Sequence, residues 1–135
     1  MRDTIRAYLA ADTTLMAILT GGIYAGTEIS RQLTADAFDG SGEVEPCALV
    51  TAEAEDPSGP YRHSARAFVA VYFYERDGYT NIDAARERVY ALLHRQQVGS
   101  GVWEIRHAGD IPEQRDPALD CALGVSRFQV TRLRG

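Results

Sequence analysis

The chain has 135 residues, 45% of them hydrophobic and 24% charged, with a formal net charge of −5. That length suits one domain with one core, and the composition is that of an ordinary globular protein. No run of about 18 apolar residues offers a membrane-spanning helix, the polar start Met1-Arg2-Asp3 lacks the apolar stretch of a signal peptide, and a net acidic chain argues against tight binding to nucleic-acid phosphates.

The expected compartment is therefore the cytoplasm of the producing cell. All 14 basic residues are Arg, which points to a GC-rich coding genome. Arg also suits bidentate pairing at interfaces. The charge is unevenly placed. Between Glu28 and Asp56 eight acids face one Arg, a net of −7, while the remainder holds 11 acids and 13 Arg, a net of +2. One segment carries the whole negative excess, and its plainest reading is a solvated loop.

In chain order, Arg2–Leu19 reads as a helix broken once. Ile5, Tyr8 and Leu9 share a face at helical spacing, and Leu15, Met16 and Leu19 form a second apolar cluster. Asp12 suits an N-cap between the two pieces, because its carboxylate can accept the free amides of the next turn. Gly21-Gly22 ends the helix. Ile23-Tyr24-Ala25 is a short strand or extended turn. Thr27–Pro46 is a long loop with Asp39-Gly40-Ser41-Gly42 at its flexible centre, and a loop of that length in a compact domain usually has a function or is disordered.

Cys47–Glu53 reads as a strand, broken by Asp56-Pro57-Ser58-Gly59-Pro60. Ser64–Glu75 is the strongest strand in the chain. Ala67, Val69, Val71 and Phe73 alternate with Phe68, Ala70, Tyr72 and Tyr74, so both faces are apolar or aromatic and the strand belongs in the middle of a sheet. A chain of this size with two helices has little left to cover both faces, which points to a partner subunit over the second. Thr80–Gln96 is the second helix, with Thr80 and Asp83 spaced like a capping box and Ile82, Ala85, Val89, Leu92 and Leu93 on one stripe. His94 and Arg95 sit in its last turn, where the helix dipole favours positive charge. Val102–Ala108 is a strand with Trp103 and Ile105 on one face. Asp110–Ala118 is a polar loop with two prolines. Leu123–Leu133 is the last strand, with Phe128 and Val130 inward. The expected fold is α+β: a mostly antiparallel or mixed sheet of about four to five strands with two helices on one face, forming a single domain over residues 1–135.

The sequence carries no recognised nucleotide-binding, zinc-protease, dithiol or nucleophile-elbow motif. Cys47 and Cys121 are isolated and read as buried small hydrophobes. His63, His94 and His107 lie in a loop, at a helix end and at a strand end. A Cys121–His107 pair with Asp110 as the acid can be drawn on paper, but the spacing signals no convergence. The expectation is a protein that is not an enzyme and uses no cofactor or metal. Tyr61, Tyr72 and Tyr74 interleave with Arg62 and Arg66. That pattern occurs on single-strand binding faces, but more often it marks a sheet face meeting water or a subunit.

The blocks AYLAADTTLMAILTGGIYAG, EPCALVT, RAFVAVYFYERDGYTNIDAARERVYALL and SRFQVTRLRG, in that order, resemble the tail terminator (tail completion) proteins of long-tailed phages, prophages and phage-like gene transfer agents. The absence of Lys fits the gene transfer agents of GC-rich bacteria. The resemblance covers nearly the whole chain and rests on pattern and order. It implies an α+β subunit that forms a hexameric ring, caps the tail tube protein and docks to a stopper (head-closure) protein at the neck of the particle. DNA would pass through the lumen without sequence-specific binding, and no membrane is involved. Under this resemblance Phe68, Tyr72, Tyr74, Arg31, Phe38, Tyr61 and Arg62 are expected at subunit or partner contacts. Asp36, Asp39, Glu43 and Glu45 are expected in the lumen or on a protruding acidic loop. Another connector component, a head-closure or adaptor protein, is the alternative. A small enzyme using Cys121 or a histidine is a distant third.

Overall fold

The computed structural model describes residues 2–57, 64–98 and 102–133. Its first helical stretch breaks at an acid. α1 (Arg2–Ala10) ends and α2 (Thr13–Ile18) starts on Asp12, whose backbone is extended and whose carboxylate accepts the Leu15 N–H at 2.8 Å. That bond satisfies one of the free amides at the start of α2. The same carboxylate receives both arms of the Arg88 guanidinium, at 2.7 and 2.9 Å. The Arg88 hydrogen bonds hold the Asp12 carboxyl below its ordinary pKa, against the upward push of burial. The joint between two short helices is thus pinned to the third.

The chain then turns through Gly22, at φ +96°, a left-handed conformation that costs glycine little. β1 (Ile23–Ala25) follows and runs parallel to β2 (Cys47–Pro57). β2 pairs antiparallel with β3 (Ser64–Glu75). After α3 (Thr80–Leu93) come β4 (Val102–Asp116) and β5 (Cys121–Leu133). β5 inserts between β3 and β4, antiparallel to both, giving the sheet order β1-β2-β3-β5-β4. The fold is α+β with a mixed five-stranded sheet, as the sequence patterning implies.

Among the described residues the three α-helices lie on one face. Ile5 and Leu9 of α1, Leu15 of α2, and Ile82, Val89 and Leu93 of α3 pack on Val50, Val69, Val71, Phe73, Phe128 and Val130. Phe73 and Phe128 are completely buried, and each such side chain stabilises the fold by about 1.5–3 kcal/mol relative to exposure. Helix α3 comes so close to β5 that a Cβ at Gly124 would sit 2.6 Å from Ile82 Cγ2. Only glycine fits beneath that helix.

The structure corrects several expectations. β2 runs past Glu53 to Pro57, and a register shift between Ala52 and Glu55 absorbs the irregularity. The polar segment Asp110–Ala118 is strand as far as Asp116. β4 lies at the sheet edge, where only one side of the backbone must pair, and its register shifts at 102/104, 107/109 and 111/114. Pro112 falls within the last of these, where it disrupts no ladder. The expected capping box at Thr80 and Asp83 does not form: the cap residue is Tyr79, with no side-chain bond. Glu75 instead accepts from the Asn81 amide at 3.2 Å and from its side chain, and Asp83 binds Arg86. The helix ends at Leu93, and His94 becomes its C-cap, its Nδ1 accepting the His107 N–H at 3.0 Å.

Candidate assembly surfaces

The second face of the sheet is half covered, and the chain itself supplies the cover. The segment after β1 folds back across one half, laying Ile29, Ala37 and Val44 on Cys47, Leu49, Tyr74 and Cys121. A single 3-10 turn, Ala35–Ala37, is its only helix, and an isolated bridge joins Phe38 to Val44. The stretch Asp39–Gly42 is a tight turn. The Asp39 carboxylate accepts from the Ser41 and Glu43 amides at 2.8 and 3.1 Å, a local bonding pattern that suits Asp to turns. Arg31 reaches across the segment, giving two hydrogen bonds to the Gly42 carbonyl at 2.9 and 2.6 Å. Its guanidinium lies 4.9 Å from the centre of the Phe38 ring.

The four loop acids therefore differ in role. Asp39 holds a turn, Glu43 is ion-paired with Arg76, Glu45 is half-buried, and Asp36 is exposed. Arg31 is exposed and Phe38 half-buried, and the two meet within the loop. Tyr74, at 6% exposure, lies under its own chain, and burial pushes its hydroxyl pKa upward. The part of the face that a partner was expected to cover is to that extent self-covered. Tyr72 is half-buried against the rim of that covered cluster, and Phe68 is half-buried beyond it, where the Arg127 guanidinium sits 5.1 Å from the centre of the Phe68 ring. Tyr61, Arg62 and His63 lie outside the described residues.

The chemistry imagined for Cys121, His107 and Asp110 is only partly assembled. His107 Nε2 and Asp110 Oδ1 do meet, at 2.8 Å. Cys121, however, lies in the cluster under the loop, while His107 stands beside Phe128, seven residues further along β5 or roughly 23 Å at strand rise. Burial pushes the Cys121 thiol up to about 11 and the Cys47 thiol up to about 12, so neither is a thiolate at neutral pH. The two cysteines share one cluster, yet Cys47 is in register with Tyr74 and Tyr74 with Leu123. Two inter-strand steps of ~4.8 Å separate those positions, too far for a disulfide.

Asp110 belongs to a polar clasp that the sequence does not advertise. Its Oδ1 accepts from the Ser126 hydroxyl at 2.7 Å, and its Oδ2 accepts from Arg86 at 2.9 Å. Burial raises the Asp110 pKa, but the bonds from His107, Ser126 and Arg86 outweigh it and hold the carboxyl below its usual value. Ser126 and His107 both bond the acid and not each other, so no base is presented to the serine. The clasp ties α3 to the edge strand. Tyr90 completes it, stacked on His94 at 4.8 Å and edge-on to His107 at 5.2 Å. The i, i+3 spacing of His107 and Asp110 is visible in the sequence. Their partners Arg86 and Ser126 arrive only through the fold. Among the described residues no group of three or more His, Cys, Asp or Glu could hold a metal ion, and no helix is long and apolar enough to cross a membrane.

No protein-family model matches the chain, and no curated protein matches its sequence. Among solved structures, 28 chains match. One belongs to a structure described as the virion of a native gene transfer agent (GTA) particle, with a TM-score of 0.69 and 16% sequence identity over 100% of this chain and 95% of that one. At that identity the likeness is one of fold, and it runs from end to end in both chains.

Proposed function

We propose that this protein is a structural subunit of a phage-like particle, a tail terminator that forms a ring at the end of the tail tube. One observation carries the reading: the fold is similar, over 100% of this chain, to that of a chain in a gene transfer agent virion, and the order of sequence blocks resembles proteins of the same kind of particle. The described residues are consistent with a protein that works by contact. Their one Ser–Asp–His grouping is a clasp, and their cysteines are buried and protonated.

In this reading the ring stops tube growth and joins the tail to a stopper protein at the neck, after assembly in the bacterial cytoplasm. Duplex DNA passes through the lumen, and exposed acids such as Asp36 and Asp39 keep its phosphates from adhering. The matched chain is described by its particle alone, which leaves a head-closure or adaptor subunit as the second reading. Electron microscopy of the purified protein mixed with tail tube subunits separates the two. A terminator gives rings seated on one end of tubes of limited length. Tubes with bare ends would overturn the proposal.

A further inference from the structure

Helix α3 is followed by a short arch, residues 94–97, anchored at both ends by the buried side chains of Leu93 and Val98. Between these anchors His94 is half-buried, and Arg95, Gln96 and Gln97 are exposed. The arch lies along the outer edge of β4, on the side away from β5. The Arg95 N–H donates to the Ile105 carbonyl at 2.6 Å, and the Ile105 N–H donates to the Gln96 carbonyl at 3.2 Å. The next outward-facing amide, that of His107, donates to a side chain instead, His94 Nδ1 at 3.0 Å. Arg95 turns the chain at φ +61°, a left-handed backbone that is uncommon outside Gly, Asn and Asp. The arch is thus held on β4 in a strained conformation, by few bonds.

The His94 bond depends on the protonation of its ring. A neutral imidazole accepts at one nitrogen and donates at the other, whereas an imidazolium donates at both. With the His107 N–H aimed at Nδ1, the neutral ring carries its proton on Nε2. A proton added at Nδ1 sets two donors face to face. Turning the ring over puts a carbon where Nδ1 was, so the bond is lost either way. His107 has the opposite chemistry. Its Nε2 meets Asp110 Oδ1 at 2.8 Å, and a protonated ring keeps that bond as an ion pair. Burial pushes the Asp110 carboxyl up, but the bonds from His107, Ser126 and Arg86 hold it below its ordinary value, so the acid stays charged where histidines titrate. We propose that His94 is an acid-released latch on the edge of the sheet: its neutral ring fastens the 94–97 arch to Ile105 and His107, and its protonated ring lets the arch go while the Asp110 clasp still ties α3 to β4. The groups around the ring are Tyr90, stacked on it at 4.8 Å, and the exposed Arg95 and Arg106, of which Arg106 pairs with Glu104 at 3.3 Å. β5 contributes Phe128, edge-on to the His107 ring at 5.4 Å. The carbonyl end of α3 favours a cation at His94, and the neighbouring Arg95 opposes one. Release uncovers the main chain of Ile105 and His107, which is covered while the ring is neutral. The inference rests on this local geometry and holds whatever the chain assembles with.

Ring titration and amide exchange, followed together by NMR on the full chain, test it. The pH is taken from about 8 to about 5, across the ordinary histidine range near 6.5. At the upper end His94 should carry its proton on Nε2. As the ring takes its second proton, protection of the Ile105 and His107 amides, corrected for the intrinsic pH dependence of exchange, should fall by on the order of tenfold. Two variants isolate the cause. His94→Asn keeps an acceptor near the Nδ1 position and does not titrate, so both amides should stay protected to the lower end. His94→Phe keeps a ring to stack on Tyr90 but offers no acceptor, so the His107 amide should lack protection at every pH. Protection that outlasts titration of the His94 ring would overturn the inference. So would a ring that stays neutral until the whole fold is lost, a loss of protection that His94→Asn shares, or wild-type protection in His94→Phe. The wild-type titration decides alone should either variant fail to fold.

Discussion

Replacing Asp110 by Ala removes the hub of the clasp between α3 and the edge strand. Three donors lose their acceptor at once: Ser126 Oγ at 2.7 Å, His107 Nε2 at 2.8 Å and Arg86 Nη1 at 2.9 Å. Hydrogen bonds to a charged group contribute about 1.5–3 kcal/mol each when well buried. The Asp110 side chain keeps 26% of its surface exposed, so water can replace part of what is lost, and Arg86 retains its bond to Asp83 at 3.0 Å. After this discount the expected cost is about 2 kcal/mol, read as a lower urea midpoint at unchanged slope. The pH dependence supplies an internal control. The folded-state pKa of Asp110 is depressed, so its contribution is fully present above the unfolded value of about 3.9 and is lost as pH falls through the folded value. The gap between wild type and Asp110→Ala should therefore be widest near neutral pH and narrow below about pH 4. A variant within about 0.5 kcal/mol of wild type at pH 7 would show that the clasp only decorates the surface.

Two further outcomes follow from packing. Gly124→Ala should cost about 1–3 kcal/mol in urea unfolding, because the new methyl overlaps Ile82 Cγ2 and α3 must lift from the sheet; a neutral result would mean the helix moves freely at that point. Native protein at pH 7.5 should leave both thiols unlabelled by a thiol reagent on a timescale of minutes and release two on denaturation, since Cys47 and Cys121 are fully covered and their pKa values are raised; rapid labelling of the folded chain would show that the loop opens.

The sequence reveals most where one residue decides a local structure. Asp12 announces the break between α1 and α2, Gly21-Gly22 the stop, and the two apolar rows of β3 its central place. The edge strand is harder to see. Prolines and polar side chains from Asp110 to Asp116 have the composition of a loop, and only pairing with β5 on one side, eased by bulges, makes them strand. The cover over the second sheet face is hidden for a related reason. Ile29, Ala37 and Val44 follow no helical or strand period, so their shared destination emerges only once the loop is folded. Of the residues expected at contacts, Phe68 and Tyr72 keep a partly open side. Tyr74 is buried under its own chain, and Arg31 and Phe38 contact each other while keeping exposed surface, arrangements set by tertiary contacts that spacing does not encode.

The two margins of the sheet bear on whether another strand can add to it. β1 is three residues long, and the Ile23 carbonyl on it already accepts from Arg6 at 3.1 Å. β4 is long, but Ile105 exchanges hydrogen bonds with Arg95 and Gln96 at 2.6 and 3.2 Å, the His107 amide is taken by His94, and its three register shifts deny a straight ladder to any incoming backbone. Such margins are poor templates for strand addition. Growth of fibrils through the main chain is thereby disfavoured, and recognition at either margin would fall to side chains, whose fit can demand a particular geometry before it takes hold.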